Sequence, residues 1–186
     1  MKELIQDYFD RLKSTIDKIE IDKIEQFIKV LIDARANNKT IFIMGNGGSA
    51  TTASHFVCDI AKGASYGNDK RFKVVSLNDN LPMIMAYAND ISYDDIFVEQ
   101  LKNQLQKGDI VIGISGSGNS ANVLKAIGYA NNKEAFTIGF TGYDGGKLKE
   151  IVSLSIDANI DDMQISEDIH LILTHLTMQI LNKAGV

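Results

Sequence analysis

The sequence predicts an α/β fold: a three-layer sandwich with a five-stranded parallel sheet between helical layers, preceded by N-terminal helices. Three observations predict it. Apolar runs recur at residues 40–44, 72–77, 109–114, 135–140 and 152–157. Their near-continuous Ile, Val and Phe content lacks the polar alternation of a half-exposed sheet, so both faces are expected to be covered. Segments with helical spacing, such as 93–106 and 120–131, separate the runs, as right-handed crossovers between parallel strands require.

Taken in order, Leu4, Tyr8, Leu12, Ile16 and Ile19 follow helical spacing, and a second helix follows at Ile24, Phe27, Ile28, Leu31 and Ile32, with Asp22 and Glu25 as its capping pair. Ile5 and Phe9 form an adjoining stripe on the first helix, read either as contact with a partner chain or as a wide core-facing stripe. Pro82, the only proline, is expected at the start of the helix after the second strand, where its missing N–H costs little. Residues 162–181 form a long final helix bearing Glu167, Asp168, His170 and His175.

The chain has 186 residues, of which 45% are hydrophobic and 23% charged, enough to bury one core. No linker or low-complexity tract divides it, so residues 1–186 are expected to form a single domain. A net charge of -5 and the lack of a Lys/Arg cluster beyond Lys70, Arg71 and Lys73 argue against a nucleic-acid partner. Cys58 is the only cysteine, so no intrachain disulfide is available. No apolar run approaches the length of a membrane span, and a soluble cytoplasmic protein is expected.

Aligning residue 41 with residue 112 exposes an internal echo: Ile41, Ile43, Gly45, Gly47, Ser49 and Ala50 match Ile112, Ile114, Gly116, Gly118, Ser120 and Ala121 in type. Each time a strand ends in G-x-G-x-S-A and a helix begins. Such loops bring backbone N–H groups and the positive end of a helix to one point, which suits an anion. A dinucleotide site fits poorly, because Asp79 lies well beyond the expected spacing of the ribose-binding acid from Gly45. A P-loop is excluded by the absence of the G-K-S/T ending. Ser115, Ser117 and Ser120 instead offer neutral donors for a single phosphate monoester. Ser49 and Ser120 also read as helix N-caps.

His55 and Asp59 lie side by side at i,i+4, immediately after the first loop. In the final helix Asp168 and His175 share a face at i,i+7, with Glu167 beside them. Two histidines and two or three carboxylates are thus placed to meet across two helices, a donor set that suits zinc or another borderline divalent ion.

GNGGS at 45–49, AND at 88–90, ISGSGNS at 114–120 and TGYDGG at 141–146 resemble the sugar isomerase (SIS) domain, and within it the phosphoheptose isomerases. The resemblance implies a homotetramer with active sites between subunits, to which residues 1–38 would supply contacts. The reaction implied is isomerisation of sedoheptulose 7-phosphate, or a closely related ketose phosphate, to the heptose phosphate through metal-assisted enediol chemistry. That would place the chain in carbohydrate metabolism, in heptose or lipopolysaccharide biosynthesis. The metal site carries over onto His55, Asp59, Glu167 and His175. Substrate contacts carry over onto Asn46, Gly47, Gly48, Ser49, Asn89, Asp90, Ser115, Gly116, Ser117 and Ser120. Asp59 or Glu167 is expected to transfer the proton, with His175 as its acid/base partner. The chain departs from the family in having Asp59 where Glu is typical, Glu167 where Gln is typical, Gly116 where Thr is frequent, and Lys62 and Gly63 near a missing arginine. A non-catalytic SIS module that binds a phosphosugar or a protein is the alternative.

Overall fold

In the computed structural model, which describes residues 1–185, the apolar runs are β1 (Thr40–Gly45), β2 (Lys73–Ser76), β3 (Ile110–Ser115), β4 (Phe136–Thr141) and β5 (Leu154–Asp157). They form one all-parallel sheet in the order β2-β1-β3-β4-β5. Successive side chains on a strand point to opposite faces. Ile41, Ile43, Ile110, Ile112 and Ile114 enter one core, while Phe42, Met44 and Val111 enter the other. A strand apolar on both faces is stable only between two helical layers, hence the missing polar alternation.

One layer comprises α1 (Lys2–Ile16), α2 (Ile21–Ala36), α3 (Gly48–Cys58) and α8 (Met163–Lys183). The other comprises α4 (Leu81–Asp90), α5 (Val98–Gln104), α6 (Ala121–Asn132) and α7 (Gly146–Ile151). Phe27 of α2 meets Phe140 of β4 edge to face at 5.2 Å, which ties the first layer to the sheet. Pro82 sits in the first turn of α4, and the Asn80 side chain caps that helix by accepting from the Met83 N–H at 3.2 Å. No helix among the described residues is long and apolar enough to cross a membrane.

Several local expectations are corrected. Helix α1 stops at Ile16. The Lys18 and Ile19 N–H groups turn back onto the Thr15 and Ile16 carbonyls at 3.1 and 3.2 Å, and Ile19 packs on the core from that turn. Asp22 does not cap α2, which begins at Ile21 after Glu20 with no side-chain cap; it lies in the first turn, where its charge meets the helix dipole. Segment 93–106 is not one helix. A 3-10 turn at Tyr93–Asp95, capped by the Ser92 hydroxyl on the Asp94 N–H at 3.1 Å, precedes α5 and leaves the buried Asp95 paired with Lys125 at 2.6 Å. Ser49 lies inside α3, after Gly47 at the cap position. Ser120 stands at the α6 cap position without making a cap bond, because its hydroxyl pairs with that of Ser115 at 2.9 Å.

Helix α3 passes at Asp59 into a π-helical turn, Asp59–Ala64. The Ser65 hydroxyl, itself buried, donates to the Ile60 carbonyl at 2.8 Å, and the Asn182 amide donates to the Gly63 carbonyl at 2.7 Å. A Cβ on Gly63 would lie 2.7 Å from Met178 Cγ, so glycine lets this turn settle against α8.

Candidate active site

Strand order reverses between β1 and β3, so the carboxyl ends of these neighbours open a crevice. Each ends in one of the Gly/Ser loops. The two loops enclose a cleft of about 290 Å³, lined by residues 46–49 and 115–117 with Ser120, Met163 and Glu167. The 141–146 segment and the first turn of α7 brace the serine loop: Gly142 N–H donates to the Gly116 carbonyl at 2.8 Å and Leu148 N–H to the Gly118 carbonyl at 2.9 Å. Gly118, at φ +64°, approaches so close to Gly145 that any Cβ would overlap the Gly145 carbonyl.

Asn46, at the turn out of β1, exchanges two hydrogen bonds with Asn122 of α6. Asn46 Nδ2 donates to Asn122 Oδ1 at 2.9 Å, and Asn122 Nδ2 donates to Asn46 Oδ1 at 3.0 Å. The Tyr93 hydroxyl donates to the same Asn46 oxygen at 3.0 Å. Neither partner carries a motif of its own: the loop echo ends at Ala121, one residue before Asn122, and Tyr93 follows the AND motif without belonging to it.

Glu167 of α8 extends its carboxylate over the start of α3, where a Cβ on Gly48 would lie 2.6 Å from the carboxyl carbon. A carboxylate there meets the positive end of the α3 dipole. Farther along the same pair of helices, His55, Asp59 and His175 each offer one ligand atom, all within 4.8 Å of one another. His175 Nε2 faces His55 Nε2 at 2.9 Å, and His55 Nε2 lies 3.4 Å from Asp59 Oδ2. Asp59 Oδ2 is buried and makes no hydrogen bond. Three Lewis bases converging on one point, with one carboxylate oxygen otherwise unsatisfied, fit a divalent cation. Glu167 is not in this group of three; its carboxylate stands in the loop cleft.

The remaining expected residues are elsewhere. Asn89 and Asp90 end α4 at the surface, with Asn89 Nδ2 donating to Asp90 Oδ1 at 2.8 Å, and neither lines the loop cleft. Asp168 accepts from the Tyr8 hydroxyl at 2.6 Å, a bond that, ahead of burial, pushes the Tyr8 pKa up to about 12. His170 is fully buried against the end of β4, its Nε2 3.1 Å from the Thr141 carbonyl, and burial pushes its pKa down to about 4. Nearby, burial would raise the Asp157 pKa, but the Ser155 and Thr141 hydroxyls and the Lys149 ammonium outweigh it and hold the carboxyl low.

Other doubly wound folds share this sheet order and crevice, and the sequence signature of the SIS domain, which matches residues 6–142, makes this chain a SIS-domain protein. The chain is 34% identical over 167 residues to the phosphoheptose isomerase of Helicobacter pylori, a match covering 90% of this chain and 86% of that protein. It is 35% identical over 161 residues to that of Geotalea daltonii, covering 87% and 83%. The solved phosphoheptose isomerase of Neisseria gonorrhoeae superposes with a TM-score of 0.89 at 26% identity, covering 98% of each chain. The chain belongs to the phosphoheptose isomerase family of enzymes.

Proposed function

We propose that the chain isomerises sedoheptulose 7-phosphate, or a closely related ketose phosphate, to the corresponding aldose phosphate. The observation that carries this reading is that one helix joins two chemistries: α3 starts at Gly48 in the serine-loop cleft and leads through His55 to Asp59, which meet His175 in a group that fits a divalent cation.

In this reading the phosphate takes the hydroxyls of Ser115, Ser117 and Ser120 and the start of α6. The start of α3 already faces the Glu167 carboxylate, which repels a second anion. Asn46, Gly47, Gly48 and Ser49 then line the sugar, with Asn89 and Asp90 as the outlying expected contacts. Moving the carbonyl between C1 and C2 requires removal of a proton from the carbon beside it and donation to the carbonyl oxygen. Asp59 or Glu167 takes the proton, and His175 is the acid/base partner. A divalent ion, with zinc first for this donor set, would be held by His55, Asp59 and His175 with Glu167 as the expected fourth group, and would supply the Lewis acidity that eases proton removal near neutrality. Leu4, Ile5 and Phe9 on α1 are 76%, 52% and 51% exposed, which supports oligomer contacts through residues 1–38 in a homotetramer. The acidic charge, with no spanning helix among the described residues, suits a cytoplasmic enzyme.

The test is to follow loss of sedoheptulose 7-phosphate before chelation, after chelation, and after zinc is restored. Turnover should vanish and return. Unchanged turnover in metal-free protein would remove the metal from the mechanism, full activity in His175→Ala would remove His175, and binding of ketose phosphates without conversion would defeat the enzymatic reading.

A further inference from the structure

We propose that Asn122 and Tyr93 are positioning residues that lock the Asn46 amide as a hydrogen-bond donor toward the ligand in the serine-loop cleft. Identification of that ligand rests on the function proposed above; the bonding argument stands without it.

The orientation starts from a group that cannot be reversed. The backbone N–H of Val123 can only donate, and it meets Asn122 at 2.9 Å, so the atom there is the side-chain oxygen. The NH2 of Asn122, which is 2% exposed, therefore points the other way, toward Asn46 at 3.0 Å. An NH2 group needs an acceptor, so it faces Asn46 Oδ1. The Tyr93 hydroxyl takes the second lone pair of that oxygen. Asn46 Nδ2 returns one N–H to Asn122 Oδ1. Of the four hydrogen-bonding positions on the Asn46 amide, three are now filled, and the one left is a donor.

Asn46 lines the loop cleft, whereas Asn122 and Tyr93 do not. From the Asn46 amide, then, the ligand is offered an N–H and no acceptor. A carbonyl or phosphate oxygen satisfies it, and the bond strengthens as negative charge develops on that oxygen. Holding the donor before the ligand arrives removes the need to turn an amide during turnover.

Asn122→Asp tests this by exchanging one NH2 for an oxygen at nearly constant volume. One carboxylate oxygen keeps the Val123 and Asn46 N–H groups, and the other faces Asn46 Oδ1, lone pair against lone pair; turning the Asn46 amide only moves that clash to the first oxygen, so neither orientation is held and the amide is pushed out of its clamp. With sedoheptulose 7-phosphate, kcat/KM is expected to fall at least about tenfold, the loss expected when an aligned donor is removed. In an Asn46→Ala background the same substitution should cause no further fall, because Asn122 acts through Asn46. Tyr93→Phe, at a half-exposed side chain where folding is safe, should lower kcat/KM less than Asn122→Asp and be equally silent in the Asn46→Ala background. Unchanged kcat/KM in both variants, or an undiminished fall without the Asn46 amide, overturns the proposal. If the unaltered chain converts no ketose phosphate, the function proposed above fails by itself. The side-chain amide resonance of Asn46 then decides the clamp: a shift in both variants upholds it, and no shift in either overturns it.

Discussion

Acidification from neutrality to about pH 4 is expected to remove about 3 kcal/mol of stability through one side chain, His170. Its ring is fully buried on α8 beside the Phe140 ring, centroids 6.0 Å apart. Nε2 lies 3.1 Å from the Thr141 carbonyl and so carries the proton, which leaves Nδ1 with a buried lone pair and no partner. A second proton would place a charge there, and burial opposes it. The Thr141 carbonyl and the Asp157 carboxylate act in the opposite direction without reversing it, and the pKa falls from 6.5 to about 4. Between those values the unfolded chain binds a proton that the folded chain refuses, so stability is lost as pH falls from about 6.5 toward 4 and is intact above that window. A shift of about 2.5 pKa units at 1.36 kcal/mol each gives roughly 3 kcal/mol. Urea unfolding midpoints at several pH values across the window measure it, for the unaltered chain and for His170→Leu. The variant starts from a different stability, having lost the Thr141 contact, but its midpoint should depend less on pH. Parallel slopes for the two proteins would refute the assignment.

Gly48→Ala should separate folding from activity. Alanine in a helix is favoured over glycine by about 1 kcal/mol, so the thermal midpoint should hold, while the new methyl displaces the Glu167 carboxylate and turnover falls on the order of 100-fold. Full turnover would mean that Glu167 is idle. Phe27→Ala, at a 0% exposed ring packed edge to face on Phe140, should cost about 3–5 kcal/mol in denaturant unfolding. Tyr8→Phe concerns alkaline stability. Donation to Asp168 raises the Tyr8 pKa to about 12, so its stabilisation is present below pH 10 and lost as pH rises toward 12. A titration of the folded chain over that range should show a loss that the variant lacks.

The layers were legible because strands such as β1 bury both faces and so carry an unbroken apolar signature in Ile41, Phe42, Ile43 and Met44. The loops were legible because Gly118 and its neighbours are held by backbone geometry that few residues allow. Helix ends were read less well. Asp22 and Ser49 have the chemistry of caps, but which residue caps depends on where the chain enters the helix, and tertiary packing sets that. Within the site, helical spacing alone pairs His55 with Asp59. That His175 joins them while Asp168 turns to Tyr8 and Glu167 stands in the loop cleft depends on how α8 packs along α3, which spacing does not carry. Asn122 and Tyr93 carry no periodic signature, since their partner Asn46 is remote in sequence.

The π-turn at Asp59–Ala64 has a consequence for how sequences of this kind should be compared. Such a turn accommodates one residue more than an α-turn. Deleting a residue between Ile60 and Gly63 would let an ordinary α-turn close there and draw in the backbone that the extra residue holds out. Gly63 would leave its seat against Met178, and the Ser65 hydroxyl would lose the Ile60 carbonyl. In an alignment that change is a single gap. In the molecule it reshapes the turn that joins Asp59 to the outer strand, and the number of residues there matters as much as their identity.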